Sequence, residues 1–214
     1  FGDLGADVIK VESTKPPGMD YGRKAGERIK VDSEERNVPY IFPTLNRNKR
    51  SITLNLTIPK GVKILKDLVK TADVFVENRT PGVMHRLGID YESLREANPS
   101  IIYCSISGFG QTGPDSFKKA YDITIQSLSG IVSMTGPPET PTRVGNSISD
   151  WVAGMYAVIA ILSALNHRNE TGRGQYIDIA LFDGLVTQLD FSLEHYFMYG
   201  KVRPRTSPAY GIFK

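Results

Sequence analysis

The chain has 214 residues, 40% of them hydrophobic and 23% charged, with a formal net charge of +3 at pH 7. That length suits one large α/β domain or one and a half smaller ones, and the composition is that of an ordinary globular protein, which excludes disorder of the whole chain. The small charge excess forms neither a polybasic tail nor a basic stripe interleaved with aromatics, so nucleic-acid binding is not expected.

Asp7-Val8-Ile9-Lys10-Val11-Glu12, entered from a glycine turn, reads as a buried strand. A parallel sheet would place a strand and a helix before it, so the chain is expected to begin inside a domain. Residues 13–45 are rich in proline, glycine and charge and are predicted as an irregular surface connection. Residues 51–56 alternate with period two, as a half-buried strand does. Pro59 opens a helix running to about Thr71, with Val62, Leu65, Leu68 and Val69 on one face. A strand over residues 74–77, helices over 81–87 and 91–97 and a strand over 101–106 follow, with Asn98-Pro99 ending the second helix. This alternation predicts a parallel sheet flanked by helices.

Beyond it, Ser107-Gly108-Phe109-Gly110-Gln111-Thr112-Gly113-Pro114 is a glycine-dense loop. Asp122 is expected to cap a helix carrying Ile125, Leu128 and Ile131. A proline-rich loop over 136–149 delivers the chain to Asp150, placed at the N-cap of a long helix. Ala153, Ala157, Ala160 and Ala164 form a stripe of small residues on that helix, which predicts close approach of a neighbour; Tyr156, Ile159 and Leu162 lie on other faces. Thr171-Gly172-Arg173-Gly174-Gln175 turns into a strand over 176–180, followed by one helix over 181–199. The stretch 151–165 falls short of the roughly 20 apolar residues of a membrane span. No basic and apolar leader is visible, and a cytoplasmic location is expected.

Single Cys104, in a strand-like run, reads as core and excludes an intrachain disulfide or a cysteine-based zinc site. His85, His167 and His195 lie far apart, so no metal is expected. Gly108 to Gly113 spells Gly-x-Gly-x-x-Gly by count, but Pro114-Asp115 follows where a dinucleotide site needs a helix, so it reads as a flexible loop. The clusters Asn48-Lys49-Arg50 and Arg203-Pro204-Arg205 suit solvated charge or a phosphate-bearing small molecule. Asp150 reads as a helix cap or as a nucleophile whose ionised form the helix N-terminus favours. Asn78-Arg79-Thr80 sits at a strand's carboxyl end, where parallel sheets place ligands. Arg86 lies along the next helix, and Lys118-Lys119 precedes Tyr121-Asp122.

Several of these stretches together resemble the family III CoA-transferases and the related α-methylacyl-CoA racemases. They are Asp3-Leu4-Gly5-Ala6-Asp7-Val8-Ile9-Lys10-Val11-Glu12, Asn46-Arg47-Asn48-Lys49-Arg50-Ser51 and Ala72-Asp73-Val74-Phe75-Val76-Glu77-Asn78, with Pro81-Gly82, the glycine loop, Tyr121-Asp122 and Thr171 to Gln175. The resemblance covers essentially the whole chain. It implies an α/β fold: an incomplete Rossmann-like large domain over residues 1–200, its parallel sheet flanked by helices and lacking the first strand and helix. A long helix follows, then the start of a linker to a small domain over 201–214. It implies a homodimer of interlocked subunits, coenzyme A thioesters and small carboxylic acids as substrates, and no metal. The family's nucleophilic aspartate falls on Asp150. Its CoA-binding segment falls on Leu54, Thr57, Asn78, Arg79, Thr80, Arg86 and Lys119, and Tyr121 falls near the reacting thioester. Where the family often has arginine after the first Val-Glu this chain has Ser13, with Lys15 a substitute, and Thr57 stands where a basic residue is common. The racemase branch carries histidine at the place of Tyr121, so the resemblance implies transfer through an aspartyl-CoA thioester before racemisation or a non-catalytic CoA-binding module.

Overall fold

A computed structural model describes residues 1–13, 20–31 and 36–205. It comprises two compact units, Phe1–Leu68 and Val69–Lys214. In the first, strand β1 (Val8–Glu12) pairs in parallel with a later strand, Lys49–Thr53, Val8 standing opposite Lys49. Between them lie β2 (Arg28–Val31) and β3 (Arg36–Pro39), an antiparallel pair, and a short helix α1 (Ile41–Leu45). The connection expected to be irregular therefore carries structure. Its alternation, Arg28-Ile29-Lys30-Val31, is short and half charged, too weak to stand out among prolines and glycines. Lys49–Thr53 is β4, which starts two residues before the predicted strand and ends three before it. Helix α2 (Pro59–Val69) follows as predicted, with Leu65 and Val69 buried.

The basic cluster Asn48-Lys49-Arg50 is engaged here by an ion pair and hydrogen bonds. Arg50 grips Asp7 with two hydrogen bonds of 2.9 and 2.5 Å, Arg47 and Asn48 hold Asp3, and the Lys49 ammonium bonds the Leu45 carbonyl. Buried Glu12 takes both arms of Arg23 at 2.8 and 2.7 Å, which holds its carboxyl below the ordinary range. Lys15 lies outside the described residues.

The second unit is built on a three-stranded parallel sheet, β5 (Val74–Glu77), β6 (Ile102–Ser107) and β7 (Tyr176–Ala180), in the order β5-β6-β7. Central β6 is buried almost throughout because strands between parallel neighbours have helices on both faces. Cys104 is in it, fully buried, its thiol pushed up to about 12 by loss of hydration, a core residue as expected. Helices α3 (Val83–Arg86) and α4 (Tyr91–Ala97) connect β5 to β6. Asn98 ends α4 and ties the chain together, its amide nitrogen donating to the carbonyls of Val69 and Ala72.

Helices α5 (Asp122–Ser129), α6 (Ile131–Met134) and the 24-residue α7 (Ile148–Thr171) connect β6 to β7, after which come α8 (Leu181–Val186) and α9 (Phe191–Tyr199). Three expectations are corrected. Gly130, at φ 94°, stops α5, so Ile131 belongs to α6 and Leu128 is exposed rather than on a buried face. The single helix over 181–199 is broken at Asp190, which has φ 46°. Helix α7 starts at Ile148 with Ser147 as N-cap, so Asp150 is its third residue and not its cap.

Helix α7 is also longer than the 15-residue apolar stretch seen in sequence; by length and composition alone it is long and apolar enough to cross a membrane. In this fold its Val152, Ala153, Ala157, Ile161 and Ala164 are buried. Helix α8 comes close to α7 beside that stripe and not on it: at Gly184 an added Cβ would lie 3.3 Å from Val152 and 3.5 Å from Tyr156. A cluster of Ile125, Ala153, Leu181 and Leu185, edged by Phe109 and Phe182, joins α5, α7 and α8 to the carboxyl end of the sheet.

Candidate active site

Parallel strands put all three carboxyl ends of β5, β6 and β7 on one edge, and the chain leaves each into a loop or helix there. After β6 runs the glycine loop. Gly108 presses against Ala120: a Cβ on it would lie 2.2 Å from the Ala120 methyl, so only glycine lets the loop approach the segment that starts α5. Gln111 donates its backbone N–H to Asp178 of β7 at 2.8 Å. The loop is thus tethered to the sheet edge.

Against this wall opens a cleft of about 370 Å³ lined by Ala120, Tyr121, Asp122, Ile123, Arg143, Ser147, Asp150 and Leu181. Tyr121 is the N-cap of α5 and largely exposed. Asp122 does what was expected of Asp150, in trans: its Oδ1 accepts from the Ser149 N–H at 3.0 Å and from the Ser149 hydroxyl at 2.8 Å, closing the first turn of α7. Asp122 Oδ2 accepts from Gln126 Nε2 at 2.8 Å. Fully buried Gln126 in turn donates to the carbonyls of Val144 and Asn146 and accepts from the Val144 N–H. One aspartate and one glutamine of α5 therefore pin the segment that delivers Asp150.

With α7 capped by Asp122, the Asp150 carboxylate takes no hydrogen bond or ion pair from another residue among the described residues. Although solvent reaches it, the cleft walls strip part of its hydration and raise its pKa above 3.8, and the negative charge of Asp122 pushes the same way. The helix N-terminus favours the ionised form, as the sequence suggested, but the two opposing influences outweigh it.

The other sequence-predicted residues are distributed as follows. Tyr121 shares the cleft with Asp150, and Lys119 adjoins its Ala120 wall, exposed and without an ion pair among the described residues. Asn78, Arg79 and Thr80 leave the carboxyl end of β5, all exposed, and Arg86 ends α3. Glu77 beneath them accepts from the Arg79 N–H at 2.6 Å and from the Ser105 hydroxyl at 2.5 Å, and burial raises its pKa. Leu54 belongs to the first unit, its N–H on the Glu12 carbonyl, and the Thr57 hydroxyl there is held by Asn55 at 2.7 Å. Arg205, read as a phosphate candidate, instead clamps the carbonyls of Ser133, Pro137 and Pro138. Asp122, Gln126, Ser149 and Arg143 escaped sequence reasoning as site residues. Only the spacing of Asp122 and Gln126, one helical turn apart, was a usable signal. Among the described residues no group of three metal-ligating side chains occurs.

The sequence model of CoA-transferase family III matches residues 1–214. Succinate–glutarate CoA-transferase of Agrobacterium fabrum is 46% identical over 184 residues, 85% of this chain and 45% of that protein. Human succinyl-CoA:glutarate CoA-transferase is 41% identical over 99% of this chain and 47% of its own length. Among solved structures, a CAIB/BAIF family protein from Brucella suis superposes with a TM-score of 0.90 at 44% identity, covering 97% of this chain and 54% of that one. The chain spans about half the length of the relatives it matches.

Proposed function

The chain belongs to CoA-transferase family III, and on that premise we propose that the whole protein moves coenzyme A from an acyl-CoA to a carboxylic acid through a thioester on Asp150. An Asp150 oxygen attacks the thioester carbonyl, the carbon–sulfur bond breaks, and a mixed anhydride and CoA thiolate result. The thiolate then attacks the Asp150 acyl carbon, releasing the donor acid and leaving aspartyl-CoA. The acceptor carboxylate repeats the two steps in reverse order, and Asp150 returns as carboxylate. Each exchange proceeds through an activated acyl group in place of direct displacement by a weak nucleophile.

The observation that carries this reading is the unoccupied role of Asp150. It opens into a cleft, its pKa is raised, and the helix end beside it is closed by Asp122. We assign the nucleotide portion of CoA to Leu54, Asn78, Arg79, Thr80, Arg86 and Lys119, with Tyr121 beside the thioester. The resemblance supports those assignments, as it does a large CoA-binding domain over 1–200, a linker beginning at 201 and an interlocked homodimer. The relatives named for succinate and glutarate support a dicarboxylic acid as substrate. Intact-mass spectrometry of the full-length protein mixed with succinyl-CoA tests the chemistry. The expected result is a covalent CoA adduct that maps to Asp150 and is discharged by glutarate; a wild-type protein that turns over without that adduct refutes the mechanism.

A further inference from the structure

We propose that Arg143 anchors the second carboxylate of the acid, making the cleft a dicarboxylate subsite with the cation and the nucleophile on one short segment. The proposal rests on the transfer reading above and adds the residue that selects its substrate. Arg143 lines the same cleft as Asp150. It is not the counter-ion of Asp150, whose carboxyl is raised by lost hydration and by Asp122 with no opposing influence from a guanidinium. Among the described residues Arg143 makes no hydrogen bond or ion pair, so its five N–H donors face the cleft and solvent.

The backbone around it is fixed. On one side the Thr142 N–H donates to the Thr135 carbonyl at 2.9 Å. Gly136 permits that closure, because a Cβ there would lie 2.4 Å from Thr142 Oγ1. On the other side the Val144 N–H donates to Gln126 Oε1 at 2.8 Å, and its carbonyl accepts from Gln126 Nε2 at 3.3 Å. Asn146 and Ser149 are tied to Gln126 and Asp122. Arg143 and Asp150 thus stand at the two ends of a pinned segment. An acid reacting at Asp150 with one end presents its other end to a planar guanidinium, which accepts a carboxylate in a bidentate fork. A monocarboxylic acid offers nothing to that fork.

The test compares wild type, Arg143→Gln and Arg143→Lys in the full-length protein, with glutarate and valerate as acceptors and with calorimetric binding of free glutarate and free CoA. Arg143→Gln is expected to raise KM and Kd for glutarate on the order of 10- to 100-fold, the loss of a charged hydrogen-bond partner. The kcat/KM for valerate, which does not contain the donor half-reaction, and CoA affinity should stay within about twofold, and lysine should recover part of the glutarate effect. Equal losses for glutarate and valerate, or unchanged glutarate affinity, overturn the subsite. If the wild type transfers CoA to no acid, the transfer reading falls alone: glutarate binding that disappears in Arg143→Gln still supports the subsite, and binding that persists sinks it.

Discussion

Asp150 and Asp122 face one cleft, and the charge of Asp122 acts on the Asp150 carboxyl. Loss of hydration and then the Asp122 charge hold the Asp150 carboxyl above 3.8. Its ionised form therefore burdens the folded state above that raised pKa, and the burden disappears as pH falls through it. Asp150→Asn removes the burden, so its melting temperature at pH 7 should equal or exceed wild type while CoA transfer drops below about 1%. Calorimetry beside an activity assay decides it, and a variant that melts early or keeps appreciable turnover contradicts the assignment. Asp122→Asn keeps an oxygen for Ser149, gives up the oxygen that accepts from Gln126 Nε2, and removes the charge. The acidic limb of kcat/KM should then move to lower pH, and a limb that stays in place removes Asp122 as the perturbing group. Asp150 was legible because its neighbours in sequence resemble a family; its relation to Asp122 was not. The contacts from α5 to Val144 and Ser149 span 18 and 27 residues, a separation no local pattern encodes.

The elements themselves were legible wherever periodicity was long, as in α2, α7 and the strands of the sheet. Where one residue decides, as at Asp190, no proline or glycine announced the break between α8 and α9. Helix α5 shows how an element positions chemistry. Gln126→Leu would leave the Val144 N–H and the carbonyls of Val144 and Asn146 without their partner inside the protein. The expected cost is about 2–4 kcal/mol in chemical denaturation, with kcat falling because the Asp150 segment is released. Unchanged kcat in a destabilised variant would confine Gln126 to stability. Gly108→Ala drives a methyl into Ala120 and should cost about 1–3 kcal/mol. Because the clash is between two methyls, the double variant with Ala120→Gly should recover most of that loss. A double-mutant cycle with no coupling would mean that the glycine loop and the start of α5 are not in contact.

At the scale of the molecule, α7 carries two apolar faces and only one is buried. Ala153, Ala157 and Ala164 lie inside, whereas Trp151, Met155, Ile159 and Leu162 are 59%, 56%, 59% and 50% exposed. Their spacing sets them in one stripe along the helix. Helix α9 adds exposed Phe191, Phe197, Met198 and Tyr199. The sequence placed Ile159 and Leu162 away from the alanine face, but burial of the remainder depends on surfaces that periodicity cannot supply. A contiguous apolar stripe of this kind drives association in water. Residues 1–214 expressed alone are therefore expected to self-associate as concentration rises and to carry no transferase activity, whereas the full-length protein is expected to form a stable dimer. Met155→Glu with Ile159→Lys, an i,i+4 pair that interrupts the stripe, should return the 214-residue chain to a monomer without unfolding it, since both side chains are exposed. Light scattering across a concentration series reads the outcome. A wild-type chain that stays monodisperse and monomeric would show that the stripe is tolerated in water, and a double variant that aggregates as readily would place the association elsewhere on the surface.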